Sequence, residues 1–239
     1  MRTPGDDGEL ALGFLFTEGI IANHSDVNNI DHVFTACYEN RRNVIQVTLN
    51  DGVIPNLLQA ERNFYTTSSC GVCGKASINA IRTVGSFEAQ LWDREPLNAS
   101  LILCLPDILV NQQQTFACTG GLHAAALFNE EGEVLLVRED VGRHNALDKL
   151  SGAALPAKML PLSHSILLLS GRASFELVQK AAMSGIPVIA AVGAPSSLAV
   201  SPAEEFGITL IGFLRNNRFN IYSATHRIKI PVHKNTYQG

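Results

Sequence analysis

The chain has 239 residues, 46 % of them hydrophobic and 17 % charged, with a formal net charge of −4 at pH 7. That composition supports a packed core and excludes a wholly disordered chain. The acidic balance excludes the basic field that duplex nucleic acid requires, and no apolar run reaches the roughly 20 residues of a membrane span.

Residues 1–30 show no charged start, apolar core and small-residue cleavage site, so no secretory signal is visible. The five cysteines are an odd number in a chain too large to need disulfide staples. A cytoplasmic protein with reduced thiols is the expectation.

Thr3-Pro4-Gly5-Asp6 reads as a helix start, with Thr3 as cap, Pro4 at the first helical position, and Asp6, Asp7 and Glu9 at the positive end of the dipole. Leu10, Phe14 and Leu15 form an apolar stripe at helical spacing, and Gly19 ends the helix. A hairpin follows: a strand over His32–Glu39, a turn over Asn40–Asn43, then Ile45, Val47 and Leu49 alternating with Gln46 and Thr48. Thr66–Lys75 is small and glycine-rich, hence a loop, and a helix over Ala76–Val84 follows it. Residues 85–100 carry no strong period, and Pro106–Phe116 reads as a helix.

The second half is more regular. Leu122–Phe128 and Glu133–Val137 flank Asn129-Glu130-Glu131-Gly132 as a hairpin. Arg143–Leu150 is helical, Ser165–Leu169 a strand, Ser174–Met183 a helix and Ile186–Val192 a strand. Pro195–Phe206 is helical, broken or kinked near Pro202, Ile208–Leu214 a strand and Phe219–Ser223 another. Strands that are apolar throughout and alternate with helices imply parallel pairing with both faces buried.

Cys70-Gly71-Val72-Cys73 is the strongest local chemical signal. Two thiols three apart can approach each other, share a metal, or pass sulfur between them. A helix starting after Cys73, together with Lys75, would favour the nucleophilic thiolate. A structural zinc half-site is the competing reading, but zinc needs about four ligands and there is no second Cys-x-x-Cys. Cys37, Cys104 and Cys118 are isolated and read as small buried residues.

Ligands of open α/β sheets sit beyond the carboxyl ends of parallel strands. Three such ends here are suited to phosphate: Ser170-Gly171-Arg172, Gly193-Ala194-Pro195-Ser196-Ser197, and Gly212-Phe213-Leu214-Arg215-Asn216-Asn217-Arg218. Helix N-termini and glycine-flanked amides accept phosphate. Arg172, Arg215 and Arg218 supply charge and bidentate hydrogen bonds, and Phe213 can pack on a base. The bland alternatives are ordinary turns and, for Arg215–Arg218, a solvated hairpin turn. His144 with Asp140 fits an acid–base pair, or else Asp140 caps a helix and Arg143 pairs with an acid. His123, among small residues on a strand, reads as a hydrogen-bonded core histidine.

In order from end to end, the chain resembles the formate dehydrogenase accessory protein family (FdhD). The resemblance is carried by Thr3–Asp6 with Leu10–Leu15 and Glu18–Ile21, by Ser68–Lys75, and by Thr119–Ala126. It continues with Arg138–Lys149, Ser170-Gly171-Arg172, Ala194–Val200, and Gly212-Phe213 through Tyr222. It implies an α/β fold: a cytidine-deaminase-like three-layer domain over residues 65–239, the Cys-x-x-Cys loop at its start, and a smaller N-terminal α+β lobe over residues 1–64. It implies a sulfur carrier that takes persulfide sulfur from a cysteine desulfurase. The sulfur goes to the molybdenum of a bis-guanine-dinucleotide molybdopterin cofactor, before insertion into formate dehydrogenase.

On this sequence Cys70 would carry the persulfide, with Cys73 as partner or second carrier. Phe213, Leu214, Arg215, Asn216, Asn217 and Arg218 would contact the cofactor, aided by Arg172 and Ser196 of the other strand ends. The cofactor is cargo, with no permanent cofactor or metal, and the family implies a homodimer. The first motif stands almost at Met1, whereas family members carry a preceding segment with a strand, so the small lobe is expected to lack its opening strand. Zinc deaminases need His-x-Glu and Pro-Cys-x-x-Cys; here His123 precedes two alanines and Cys70 follows serines, so deaminase chemistry is not expected. Two other functions fit the cysteines from their residues alone: a disulfide redox pair, and a zinc-binding, nucleotide-regulated module.

Overall fold

The runs Ala124–Phe128, Ile166–Leu169 and Val188–Ala191 are apolar at every position, and each is buried on both faces. A strand of that kind has to lie inside a sheet covered by helices on two sides. The computed structural model describes residues 1–33, 43–57 and 94–230. It places these runs in one six-stranded sheet: β4 (His123–Phe128), β5 (Val134–Asp140), β6 (Ile166–Leu169), β7 (Val188–Ala191), β8 (Thr209–Arg215) and β9 (Arg218–Ile221). The order across the sheet is β5-β4-β6-β7-β8-β9. β6, β7 and β8 are parallel, with Leu169 beside Ala191 and Ala190 beside Ile211. β4 runs antiparallel to both β5 and β6, as the predicted hairpin requires.

Alternate residues of these strands feed two cores. On one face Ala125, Leu127, Leu167, Leu169, Ile189 and Leu210 meet three helices: α4 (Arg143–Ala154), α5 (Phe175–Met183) and α6 (Ser197–Glu205). On the other, Ala124, Ala126, Phe128, Leu168 and Ala190 meet α2 (Ala99–Gln112). The result is an α/β three-layer sandwich. The helix expected at Pro106–Phe116 starts earlier, at Ala99, and continues through Pro106. Proline costs the ladder one bond, but Ala99, Ile102, Leu105 and Leu109 form a continuous buried stripe on both sides of it. The helix stops at Gln113, and the short α3 (Gln114–Thr119) follows.

The first helix, α1 (Asp7–Thr17), begins after Asp6, not at Pro4. Gly5 (φ 102°) and Asp6 (φ 54°) are left-handed, so residues 1–6 form an arm outside the helix. Thr3 does not cap. Its N–H donates to Asp140 (2.9 Å), its hydroxyl accepts from the Val141 N–H (2.9 Å), and its carbonyl accepts from Lys149 (3.0 Å). Leu10, Phe14 and Leu15 are only half-buried; the buried face is Leu12, Gly13, Phe16 and Thr17. That face is set by how closely α1 approaches α4. An added Cβ at Gly13 would fall on the Asp148 carbonyl, and one at Gly152 on the Glu9 carbonyl. Beside this crossing Lys180 of α5 reaches Glu18 (2.7 Å), Asp148 (3.0 Å) and Thr17 Oγ1 (3.0 Å), tying three helices together. Gly19, left-handed at φ 69°, follows the helix end as expected.

A two-stranded antiparallel sheet joins β1 (Val27–His32) to β2 (Ile45–Leu49). The alternation of β2 is as predicted. β1 lies earlier than the predicted strand, which began at His32, because its polar Asn28, Asn29 and Asp31 conceal its period. Most of the predicted strand, with its turn, lies outside the described residues, as do the Cys-x-x-Cys loop and the helix predicted at 76–84. A short β3 (Leu97–Asn98) pairs in parallel with β10 (Ile228–Lys229). Among the described residues no helix is long and apolar enough to cross a membrane.

Candidate functional site

Parallel pairing sends the carboxyl ends of β6, β7 and β8 to one edge of the sheet, where α5 and α6 begin. The antiparallel β4 and β5 add the first residue of one and the last of the other, His123 opposite Asp140, and α4 starts just beyond. Three helix N-termini therefore face the same edge, each with amides that have no intrahelical acceptor.

The three strand-end loops expected to converge do so, and they bond to one another. Gly193 donates to the Gly171 carbonyl (2.9 Å), Phe213 to the Gly193 carbonyl (3.0 Å), and Ser196 to the Ala173 carbonyl (2.9 Å). Ser170 Oγ accepts from the Ala124 N–H (2.8 Å). A side chain at Gly193 would meet Arg172 Cγ at 2.9 Å and the Gly171 carbonyl at 3.0 Å, so the two loops lie too close for anything but glycine.

The third loop is a hairpin. β8 pairs with β7 only as far as Ile211 but runs on to Arg215, so β8 and β9 extend beyond the sheet edge. Phe213 is left-handed at φ 54°, within a register shift between Gly212 and Arg215 that bends the arm. Asn216 and Asn217, both at φ 55°, form the two-residue turn opposite which Arg215 and Arg218 pair. Asparagine tolerates that conformation better than most residues. The solvated-turn alternative describes the backbone correctly, yet the same turn leaves Arg215, Asn216, Asn217 and Arg218 exposed at the edge. Phe213 is half-buried there, while Leu214 (1 % exposed) has its side chain in the core and offers the edge only backbone. Arg172 and Ser196 are exposed, and Ser196 makes no side-chain capping bond to α6.

Asp140 does not pair with His144. The buried Asp140 carboxylate accepts from Gly142 N–H (2.9 Å), Asn145 Nδ2 (2.9 Å) and the Thr3 N–H, and lies 3.0 Å from Lys149, itself only 1 % exposed. Burial alone would raise its pKa, but the bonds from Gly142, Lys149, Asn145 and Thr3 outweigh burial and hold it below the ordinary carboxylate value. His144 instead meets Ser174 Oγ (3.1 Å) and Glu176 (3.8 Å). Chiefly through His144, the Glu176 carboxyl is held down to about 2. The sequence pairs these residues poorly because 30 or more positions separate them. His123 stands on a strand as predicted, but half-buried at the edge against Gly171 instead of in the core. Burial, then Arg143 and His144, push its pKa below 6.5.

Cys104 and Cys118, expected to be buried, are exposed free thiols. Cys104 lies off the Ile102–Leu105–Leu109 stripe of α2, and Cys118 sits on α3, none of whose residues is buried. Cys37, Cys70 and Cys73 lie outside the described residues.

The model of the FdhD/NarQ family matches residues 1–229. A protein named "Sulfur carrier protein FdhD" from Streptomyces avermitilis is 53 % identical over 232 residues, covering 96 % of this chain and 82 % of that protein. One of the same name from Saccharolobus solfataricus is 45 % identical, covering 95 % of this chain and 82 % of that protein. The crystal structure of a Desulfotalea psychrophila protein named as a formate dehydrogenase accessory protein superposes with a TM-score of 0.65 at 25 % identity, over 96 % of this chain and 81 % of that one. With a family match across nearly its whole length and relatives at about half identity, the chain belongs to the FdhD/NarQ family.

Proposed function

We propose that this chain is a sulfur carrier of the sulfurtransferase type. It takes persulfide sulfur from a cysteine desulfurase and delivers it to the molybdenum of a bis-guanine-dinucleotide cofactor destined for formate dehydrogenase. The relatives' names support the carrier role. The observation that carries the cargo reading is the joining of three strand-end loops at one edge, with Arg172, Arg215 and Arg218 exposed around helix N-termini. Ser196 and Asn216-Asn217 add polar groups, and Phe213 an aromatic face for guanine.

In the first step the Cys70 thiolate attacks the outer sulfur of the desulfurase persulfide. A Cys70–S–SH bond forms, the desulfurase S–S bond breaks, and its cysteine leaves as thiolate. In the second step the Cys73 thiolate attacks the inner sulfur of the Cys70 persulfide. The persulfide S–S bond breaks, a Cys70–Cys73 disulfide forms, and the outer sulfur leaves as sulfide for the molybdenum, while the guanidinium groups of the edge hold the cargo's phosphates. The reading extends to a cytoplasmic homodimer. It also extends to a cytidine-deaminase-like arrangement of the three layers, without deaminase activity.

The test is incubation with a desulfurase and sulfur-labelled cysteine. Label is expected on the wild-type chain and not on a variant combining C70A and C73A; label kept by that variant overturns the proposal. In parallel, R215A is expected to weaken binding of guanosine diphosphate while sulfur loading persists. Equal loss of both would show that the two tasks are not divided as proposed.

A further inference from the structure

The flank of the edge farthest from the hairpin carries a second group of basic side chains. His123 opens β4, and Arg143 and His144 are the first two residues of α4. A helix normally begins with acids, because its N-terminus is positive. The first turn of α4 holds no acid, and Gly142, before it, gives no side-chain cap.

The neighbouring carboxylates are already engaged. Asp140 is taken by Gly142, Asn145, Lys149 and Thr3. Glu139 accepts from the Thr115 (2.9 Å) and Phe116 (2.8 Å) amides at the start of α3. Glu176 is beside His144. Arg143 Nε is shielded from water and has no hydrogen-bond partner among the described residues. A buried donor in that state calls for an acceptor.

We infer that His123, Arg143 and His144, with the first amides of α4, form an oxyanion site of phosphate class, and that a diphosphate group is its ligand. Strands β6 and β7 separate it from the hairpin arm, by three strand spacings or about 14 Å from β4 to β8. It is thus a second point of grip on the cargo. The inference rests on the phosphate-bearing cargo proposed above and adds where its phosphate is held. His123 is faced by Arg143 and His144 from α4, by Gly171 from the loop after β6, and by Asp140 across the strand pair. An anion placed beside His123 would favour its imidazolium form.

The test is calorimetric titration of inorganic pyrophosphate into the full chain at low salt, with NMR of the histidine rings. Pyrophosphate is expected to bind wild type, to bind R143Q at least tenfold more weakly, and to be partly rescued by R143K. The His123 titration midpoint is expected to move upward when pyrophosphate is added to wild type. Absence of binding by wild type, R143Q binding within twofold of wild type, or a His123 midpoint that stays put overturns the site. The midpoint is read on the unaltered protein, so it stands even if R143Q misfolds. Sulfur loading through the cysteines is read separately, so the carrier role can survive the failure of this site.

Discussion

Two sets of charged residues stand at the same sheet edge and differ in every physical respect. Asp140 and Lys149 are buried, matched in sign, and bonded on all sides to backbone and side chains. Arg215 and Arg218 are exposed on a projecting turn, alike in sign, and face solvent. The first set holds the N-terminal arm and the start of α4 in place; the second leaves positive charge where a ligand can use it. Charge that supports the fold is neutralised within the chain, while the charge proposed to bind cargo is left exposed.

That contrast is open to test. The largest effect is expected for D140A, which strands the Lys149 ammonium in the interior. Breaking a buried pair from one side costs about 3–5 kcal/mol, measurable by denaturant unfolding. G152A comes next: its methyl would fall on the Glu9 carbonyl, and such overpacking costs about 1–3 kcal/mol, visible as a lowered Tm. R215A and R218A should leave stability within about 0.5 kcal/mol while each weakens guanosine diphosphate binding roughly tenfold, by analogy with losing one charge-assisted bond of about 1.5 kcal/mol. A destabilised R215A would erase the distinction between the two sets.

The smallest effect is in pH. The folded protein holds His123 below 6.5, so the unfolded chain takes up that proton first. The stability due to His123 is therefore complete above about pH 6.5 and declines as pH falls through that value toward the folded midpoint. H123N should remove this part of the slope, and an unchanged slope would assign it elsewhere.

Much of this was legible in the sequence, for physical reasons. Val188–Ala191 and Ile166–Leu169 announce two-sided burial because every position is apolar, and the meeting of Gly171, Gly193 and Phe213 follows from parallel pairing alone. The start of α1 is not legible because Thr3-Pro4 satisfies the local rules for a helix cap, whereas the Thr3 hydroxyl and amide are used by Val141 and Asp140, more than 130 residues away. The acid–base alternative for His144 and Asp140 fails for the same reason: they are near in sequence, but the fold sets His144 against Ser174 and Glu176. The first turns of α2 are hidden in the sequence because Pro106 has the local character of a boundary, and only the buried stripe on both sides of it shows that the helix continues. Cys104 and Cys118 looked buried because composition says nothing about which side of a helix a thiol occupies.

The clasp at Thr3 has a practical side. Met1 is held as well, its carbonyl accepting from Asn145 Nδ2 (3.0 Å), so the first residues lie against the start of α4. Any affinity tag or fusion partner joined ahead of Met1 would emerge beside the edge proposed to bind cargo. A short tag there should crowd access of a bulky cargo, and a long flexible spacer should relieve it.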